Sequence, residues 1–224
     1  MYYDFHIHSA LSPCANDEMT PNNIINMAII KGLDIIAVCD HNSTLQQNAL
    51  HEVAKDKDIS LLYGIEVESR EEVHILGLFK DLIDNQNFGK WVDSNKPYIK
   101  NNESFFGKQL VFNKNDEIVE KLDGLLLVSL SSSIEEVINQ IHQYNGKAIL
   151  AHALDKQNGI ITHLGYIPKD LKFDGIEVKD NLQIEKIKSK HPWIKDTMWL
   201  FNSDAHNLID INEALYEINL KDWM

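Results

Sequence analysis

The sequence predicts an α/β protein folded as a closed or nearly closed barrel of mainly parallel strands. Three observations predict it. Seven short apolar runs of strand character alternate with helical segments. The 224 residues suffice for one sizeable core and match the size of a one-domain α/β barrel. The composition, 44% hydrophobic and 25% charged, is that of an ordinary folded domain.

The first strand places Tyr3, Phe5 and Ile7 on one side of a period-2 pattern and Asp4, His6 and His8 on the other. Thr20-Pro21 then starts a helix, Thr as N-cap and Pro at the first helical position, and Gly32 ends it. The run Ile35 to Cys39 is a buried strand ending at Asp40-His41. Asn42 or Ser43 caps a second helix reaching about Lys55. Leu61 to Glu68 is the third strand and Val73 to Phe79 the fourth. Residues 80–130 have mixed signals, with a small hairpin around Gln109 to Val119, and are expected to be an insertion within one domain spanning 1–224. Because the insertion follows the fourth strand, it is expected to begin beside the mouth of the barrel, either as a cap that shapes access or as a peripheral decoration. Ser133 and Glu136 form a capping box for a helix ending near Tyr144. Lys147 to Ala151, Phe173 to Val178 and Met198 to Asn202 complete the strands, and a last helix is expected from about Leu208.

Charge and cysteine usage narrow the function. There are 34 acidic residues against 21 basic ones, a net charge of −13, which disfavours an extended sequence-independent coat on nucleic acid. Binding of one phosphate stays open, because bound ions reverse the field inside a pocket. Cys14 and Cys39 are too few for a disulfide framework. No apolar run approaches a membrane span and no basic-then-apolar leader is visible, so a cytoplasmic protein is expected.

The polar residues at the strand ends are the informative feature. His6 and His8, Asp40-His41, Glu66, His74, His152, and Asp204 with His206 all fall there, and these are six of the ten histidines. In a parallel barrel such ends converge at one mouth. Residues two apart on a strand point the same way, so His6 and His8 can share an ion, and Asp204-Ala205-His206 repeats the spacing. Taken singly, each histidine is better read as a hydrogen-bonded structural residue; taken together, they make a metal site. About four ligands saturate one tetrahedral ion, so this set points to roughly two to three divalent ions, Zn, Mn or Fe. Asp17 sits in the acidic loop after the first strand, beside Asn16 and Glu18, and such a loop is usually just solvated. His51, His142, His163 and His191 read as surface or packing residues, with His163 able to overhang the mouth. Cys14 lies near the mouth but has no base placed for it as a nucleophile.

The set His6-Ile-His8, Asp40-His41-Asn42, Gly64-Ile-Glu66, Val73-His74-Ile-Leu-Gly77, Ala151-His152 and Ser203-Asp-Ala-His206 resembles the polymerase-and-histidinol-phosphatase (PHP) family. The resemblance covers nearly the whole chain. It implies a distorted seven-stranded (β/α)7 TIM-like barrel and a di- or trinuclear metal site. It implies one ion on His6, His8, Glu66 and Asp204, and a second bridged by Glu66 and held by His74 and His152. A third would use His41, His206 and a loop residue, for which Asp17 is the candidate. Asp40 is expected to orient His41 rather than bind an ion.

The activity implied is a phosphoesterase on a phosphorylated small molecule or nucleotide, with a metal-bridging hydroxide as nucleophile. His206 and Asp204 would be the catalytic residues, with His206 or a metal-bound water supplying the leaving-group proton. Lys156 is the mouth-side candidate for binding phosphate, since Arg70 is the only arginine. The alternatives are an exonuclease on short oligonucleotides, an amidohydrolase-like enzyme, and a non-catalytic metal-binding module.

Overall fold

Residues 1–220 are described by the structure, a computed structural model. The sequence-predicted strands assemble into a curled seven-stranded sheet. It contains β1 (Tyr3–Ile7), β2 (Ile35–Val38), β3 (Ser60–Glu68), β4 (His74–Phe79), β7 (Lys147–Leu150), β8 (Gly175–Glu177) and β9 (Met198–Leu200), adjacent in that order. The fold is the expected distorted barrel. The gap between β9 and β1 is bridged by Ala205, which accepts from His8 N at 2.9 Å and donates to His6 O at 3.2 Å. This bridge sets Asp204 and His206 beside His6 and His8.

Helices cover the sheet: α1 (Pro21–Ile30), α2 (Gln47–Ala54), α3 (Leu82–Asn95), α4 (Glu103–Phe106), α5 (Ile134–Gln143), α6 (Ile160–Leu164) and α7 (Asn181–Lys190). The Thr20 cap and the reciprocal Ser133–Glu136 capping box form as expected. An inner cluster of Phe5, Ile35, Leu62, Leu76, Ile149 and Leu200 fills the barrel, and two outer clusters join helices to the sheet. Gly64 is needed near the site, since a Cβ there would lie 2.6 Å from Val38 O and 2.3 Å from Cys39 Sγ.

Several expectations need correction. The sheet is not all parallel: β4 runs antiparallel to both β3 and β7. Residues 69–73 between β3 and β4 are too few for a crossover, so the chain turns back as a hairpin. His74 therefore reaches the mouth at the start of its strand, paired with Glu68. The segment after β4 consequently leaves from the foot of the barrel, where Phe79 pairs with Tyr63, and not from the mouth. It comes back to the rim at several points: Lys96 Nζ donates to Asn42 O at 3.1 Å, Leu110 N to Ala10 O at 2.9 Å, and Asn42 Nδ2 to Leu126 O and Val128 O, each at 2.8 Å. The hairpin within it is β5 (Leu110–Phe112) against β6 (Ile118–Lys121), a separate antiparallel pair.

In β1 the register slips between Asp4 and Ile7, so Tyr3 and Phe5 enter the inner cluster while Ile7 packs in an outer one. The second helix starts at Gln47, because Asn42 is engaged with the returning segment and adopts φ 47°. Past Leu208 there is a 3₁₀ turn of three residues (Leu208–Asp210) in place of the expected α-helix start. No helix among the described residues is long and apolar enough to cross a membrane.

Candidate metal centre

One buried carboxylate organises the mouth. Glu66 is 1% exposed. Its Oε1 lies 2.8 Å from His74 Nδ1, 3.0 Å from His152 Nε2 and 3.4 Å from His6 Nε2. Its Oε2 lies 3.1 Å from His41 Nδ1 and 3.4 Å from His8 Nε2. Asp204 Oδ1 closes the far side, 3.2 Å from His8 Nε2 and 3.5 Å from His6 Nε2. His206 stacks on His8 with ring centroids 4.3 Å apart.

Buried acceptors fix which ring nitrogens face inward. Ser12 Oγ donates to Asp40 Oδ1 at 2.7 Å, so it accepts from His8 Nδ1 at 3.0 Å. His6 Nδ1 donates to Glu177 Oε2 at 2.9 Å. In their neutral forms both rings therefore carry a lone pair on Nε2. Those two Nε2 atoms face each other at 3.2 Å, an arrangement that needs a cation between them, whether a proton or a metal. His206 Nδ1 likewise donates to Asp204 O at 2.8 Å, leaving its Nε2 as the acceptor. Glu66 Oε2, His74 Nδ1 and His152 Nδ1 are buried and make no well-angled hydrogen bond, although Glu66 Oε1 lies 2.8 Å from His74 Nδ1 and Glu66 Oε2 3.1 Å from His41 Nδ1. Within the cluster, ligand atoms of His6, His8 and Glu66 lie within 4.8 Å of one another, as do those of His8, His41 and His206, and of His41, Glu66 and His74. The donor set fits divalent ions.

Comparison with known proteins agrees with this chemistry. A family model described as the PHP domain matches residues 4–170. The chain belongs to the PHP family. Over 79 residues it is 30% identical to a 5'-3' exoribonuclease of Haemophilus influenzae, covering 34% of this chain and 28% of that protein. Among solved structures, the lesion-specific endonuclease Q of Pyrococcus furiosus superposes with a TM-score of 0.66 at 21% identity, covering 92% of this chain and 48% of that one. A protein from Bifidobacterium adolescentis assigned as a metal-dependent phosphoesterase superposes with a TM-score of 0.59 at 18% identity, covering 91% and 87%. The chain thus spans less than half the length of the exoribonuclease and of endonuclease Q.

The electrostatics of this PHP centre follow from crowding. Burial alone would raise the Glu66 carboxyl, but His74, His6 and His41 outweigh it and hold it well below the usual range. Burial likewise opposes charge on His74, yet Glu66 and Glu68 lift it to about 9. Asp204 is held below the ordinary carboxylate range, burial being outweighed by His6 and His8. His206 falls to about 4 through burial and the neighbouring His8. His41 is held well below its usual value by burial, with His8 and His74 adding to it. Neutral imidazoles of this kind are the form that binds metal.

The structure brings together His6, His8, His41, Glu66, His74, His152, Asp204 and His206. Lys156 reaches the same rim, its Nζ 3.2 Å from Asp204 Oδ2. Asp17 is not brought in: it is half-exposed and ion-paired with Lys108. Asp40 supports His8 through Ser12, whose Oγ also accepts from His41 N at 3.2 Å. His51, His142 and His191 bond to Tyr63, Asp174 and Ile167 away from the cluster, and His163 faces Glu72.

Sequence reasoning missed two carboxylates. Glu177, on β8, accepts from His6 Nδ1, from His152 N at 3.0 Å and from Asn202 Nδ2 at 2.8 Å. Glu68 faces His74 Nε2 at 3.3 Å. An acidic residue at the end of the apolar run Gly175-Ile-Glu-Val was the available signal for the first. His152 and Asp204 both adopt positive φ, 28° and 53°, an uncommon conformation for non-glycine residues.

Two cavities open here. One of about 430 Å³ is lined by Cys14, His41, Glu66, His74, His152 and His206, among others. A second of about 300 Å³ lies beside it, sharing His152, Lys156 and Asp204 and adding Lys179, Phe201 and Tyr216.

Proposed function

We propose that this protein is a metal-dependent phosphoesterase acting on a phosphorylated small molecule or nucleotide. The observation behind the reading is the Glu66 carboxylate, with both oxygens turned among five imidazoles, the form of a carboxylate that bridges two cations. In this reading His6, His8, Glu66 and Asp204 hold one ion, and Glu66, His74 and His152 a second. His41 and His206 would hold a third. Bound ions would supply Lewis acidity toward a phosphoryl oxygen and lower the pKa of a coordinated water.

The chain's own groups do the rest. Glu177 and Ser12 hold the His6 and His8 rings in the tautomer that turns Nε2 inward. Lys156 binds a phosphoryl oxygen from the rim, where Asp204 keeps its ammonium beside the centre. His206 suits a ligand or a proton acceptor, because its Nε2 has no hydrogen in the neutral ring and its pKa sits near 4. The proton for the leaving oxygen would then come from solvent in the open cavity rather than from His206.

An exonuclease on short oligonucleotides is the second reading, favoured by the similarity to the 5'-3' exoribonuclease. The net charge of −13 weighs against a long tract. The test is a panel run on metal-loaded protein: p-nitrophenyl phosphate, mononucleotides, 5'-phosphorylated oligonucleotides and amide substrates. Phosphate release from small esters, with Lys156→Ala raising KM about tenfold or more, is the expected outcome. Turnover confined to amides, or absent altogether from a fully loaded protein, would overturn it.

A further inference from the structure

Two of the histidines around Glu66 face it through Nδ1, His74 at 2.8 Å and His41 at 3.1 Å, whereas His6, His8 and His152 face it through Nε2. The same two are supported from outside by the last pass of the insertion, residues 125–130, through Glu68 and Asn42. Building on the metal-site reading above, we propose that this pass is a structural part of the metal centre: Ser129 and Glu68 are positioning residues that hold the His74 ring with Nδ1 turned to the ions, and Asn42 ties His41 to the same pass.

Three features of the structure lead there. First, Glu68 sits behind His74. Its Oε2 lies 3.3 Å from His74 Nε2, so in the neutral ring Nε2 keeps the hydrogen and the buried Nδ1 carries the lone pair. Half a turn of the ring would put carbon at both nitrogen positions and lose both contacts. Second, Glu68 is itself held by the insertion. Ser129 Oγ donates to its Oε1, and Leu130 N donates to its backbone O at 2.9 Å. One carboxylate oxygen is thus committed to Ser129 and the other to His74. Third, Asn42, the neighbour of His41, joins the insertion to the Glu66 strand. Its Nδ2 donates to Leu126 O and Val128 O, each at 2.8 Å, its Oδ1 accepts from Glu68 N at 3.2 Å, and its N donates to Glu66 O at 2.8 Å. These bonds hold Asn42 at φ 47°, which fixes where the chain presents His41.

The chemistry is consistent. An acceptor on the outer nitrogen of a ligating imidazole fixes the ring and makes the inner nitrogen a better donor to metal, and a carboxylate is the stronger acceptor for this. Glu68 and Leu127 both line the cavity over the centre, so without Ser129 the carboxylate has open space to turn into. The insertion therefore bears on the centre through two of its histidines, and not only through access to the mouth.

The test reads metal binding and ring state, with no turnover needed. Zinc is titrated into the metal-free protein by calorimetry. Glu68→Ala should weaken one of the bound equivalents by about 10- to 100-fold, while Glu68→Gln, whose carbonyl still accepts from Nε2, should stay within about threefold of the wild type. Ser129→Ala should fall between the two. A second reading uses only the wild type: in the zinc-loaded protein with isotope-labelled histidine, NMR should place the His74 hydrogen on Nε2. Unchanged zinc affinity in Glu68→Ala, or the His74 hydrogen on Nδ1 in the loaded protein, would overturn the proposal and leave the phosphoesterase reading standing. A loss in Glu68→Gln equal to that in Glu68→Ala would also overturn it. The expected losses in a loaded protein that turns over no phosphoester would support the proposal and overturn the phosphoesterase reading. Failure of the wild type to bind zinc at all would overturn both.

Discussion

At the scale of single residues, the mouth is governed by which nitrogen of each histidine is free. A lone pair on His6 Nε2 exists in the neutral ring because Glu177 accepts from Nδ1, and the same logic runs from Asp40 through Ser12 to His8. Glu177→Gln therefore has a specific expected effect. The amide cannot accept at both oxygens, so one of its contacts to His6, His152 N and Asn202 fails. Metal affinity should fall by about 10- to 100-fold with the fold retained, as measured by competition against a chromophoric chelator. An unchanged affinity would show that His6 is oriented by packing alone. The residues clustered around Glu66 were legible in the sequence because His-x-His and Asp-x-His spacings survive any detail of the fold. Glu177 was not, because one acid at the end of an apolar strand has no partner visible in sequence. That Asp17 stays out of the cluster was also hidden, since it depends on Lys108, which is far away in the chain.

At the scale of elements, strand content was legible and strand direction was not. Apolar period and caps identify β1 to β4 and β7 to β9 without reference to neighbours. Direction is set by connections, and the short link of residues 69–73 was the overlooked sign that β4 turns back. Helix α3 escaped notice because its 14 residues are rich in Asn and Asp and include Gly89, although Asp81 caps it by accepting from Ile83 N at 2.7 Å. A further element-scale prediction concerns the foot of the barrel. Asp174 joins α5 to β7, accepting from His142 Nε2 at 2.7 Å, Lys147 Nζ at 2.9 Å and Ala148 N at 2.9 Å. Burial would raise its carboxyl, but these partners, His142 foremost, hold it below its ordinary value. A lowered folded-state pKa means that its stabilisation is fully present above the unfolded value near 4 and fades as pH falls through the folded one. Asp174→Asn should thus cost about 1–2 kcal/mol at neutral pH and progressively less below about pH 4, by urea unfolding. A cost that stays constant with pH would rule out the charged contact.

At the scale of the whole molecule, a curled sheet closed through Ala205 collects residues from six strands and the segments just beyond them around one carboxylate. The insertion leaves from the foot and comes back to the rim, where Leu127 joins the cavity wall. Nothing in the barrel's apolar core calls for a cluster of imidazoles around Glu66, and histidine pairs with facing lone pairs destabilise a fold unless a cation joins them. The central claim is therefore that this mouth is a multinuclear metal centre bridged by Glu66. The most direct measurement is metal content per chain by elemental mass spectrometry, on protein purified without chelator or metal-affinity resin, alongside Glu66→Gln. The account predicts about two to three ions per chain, falling to about one or fewer in the variant. No bound ion after resupply of Zn, Mn and Fe, or an unchanged content in Glu66→Gln, would contradict it.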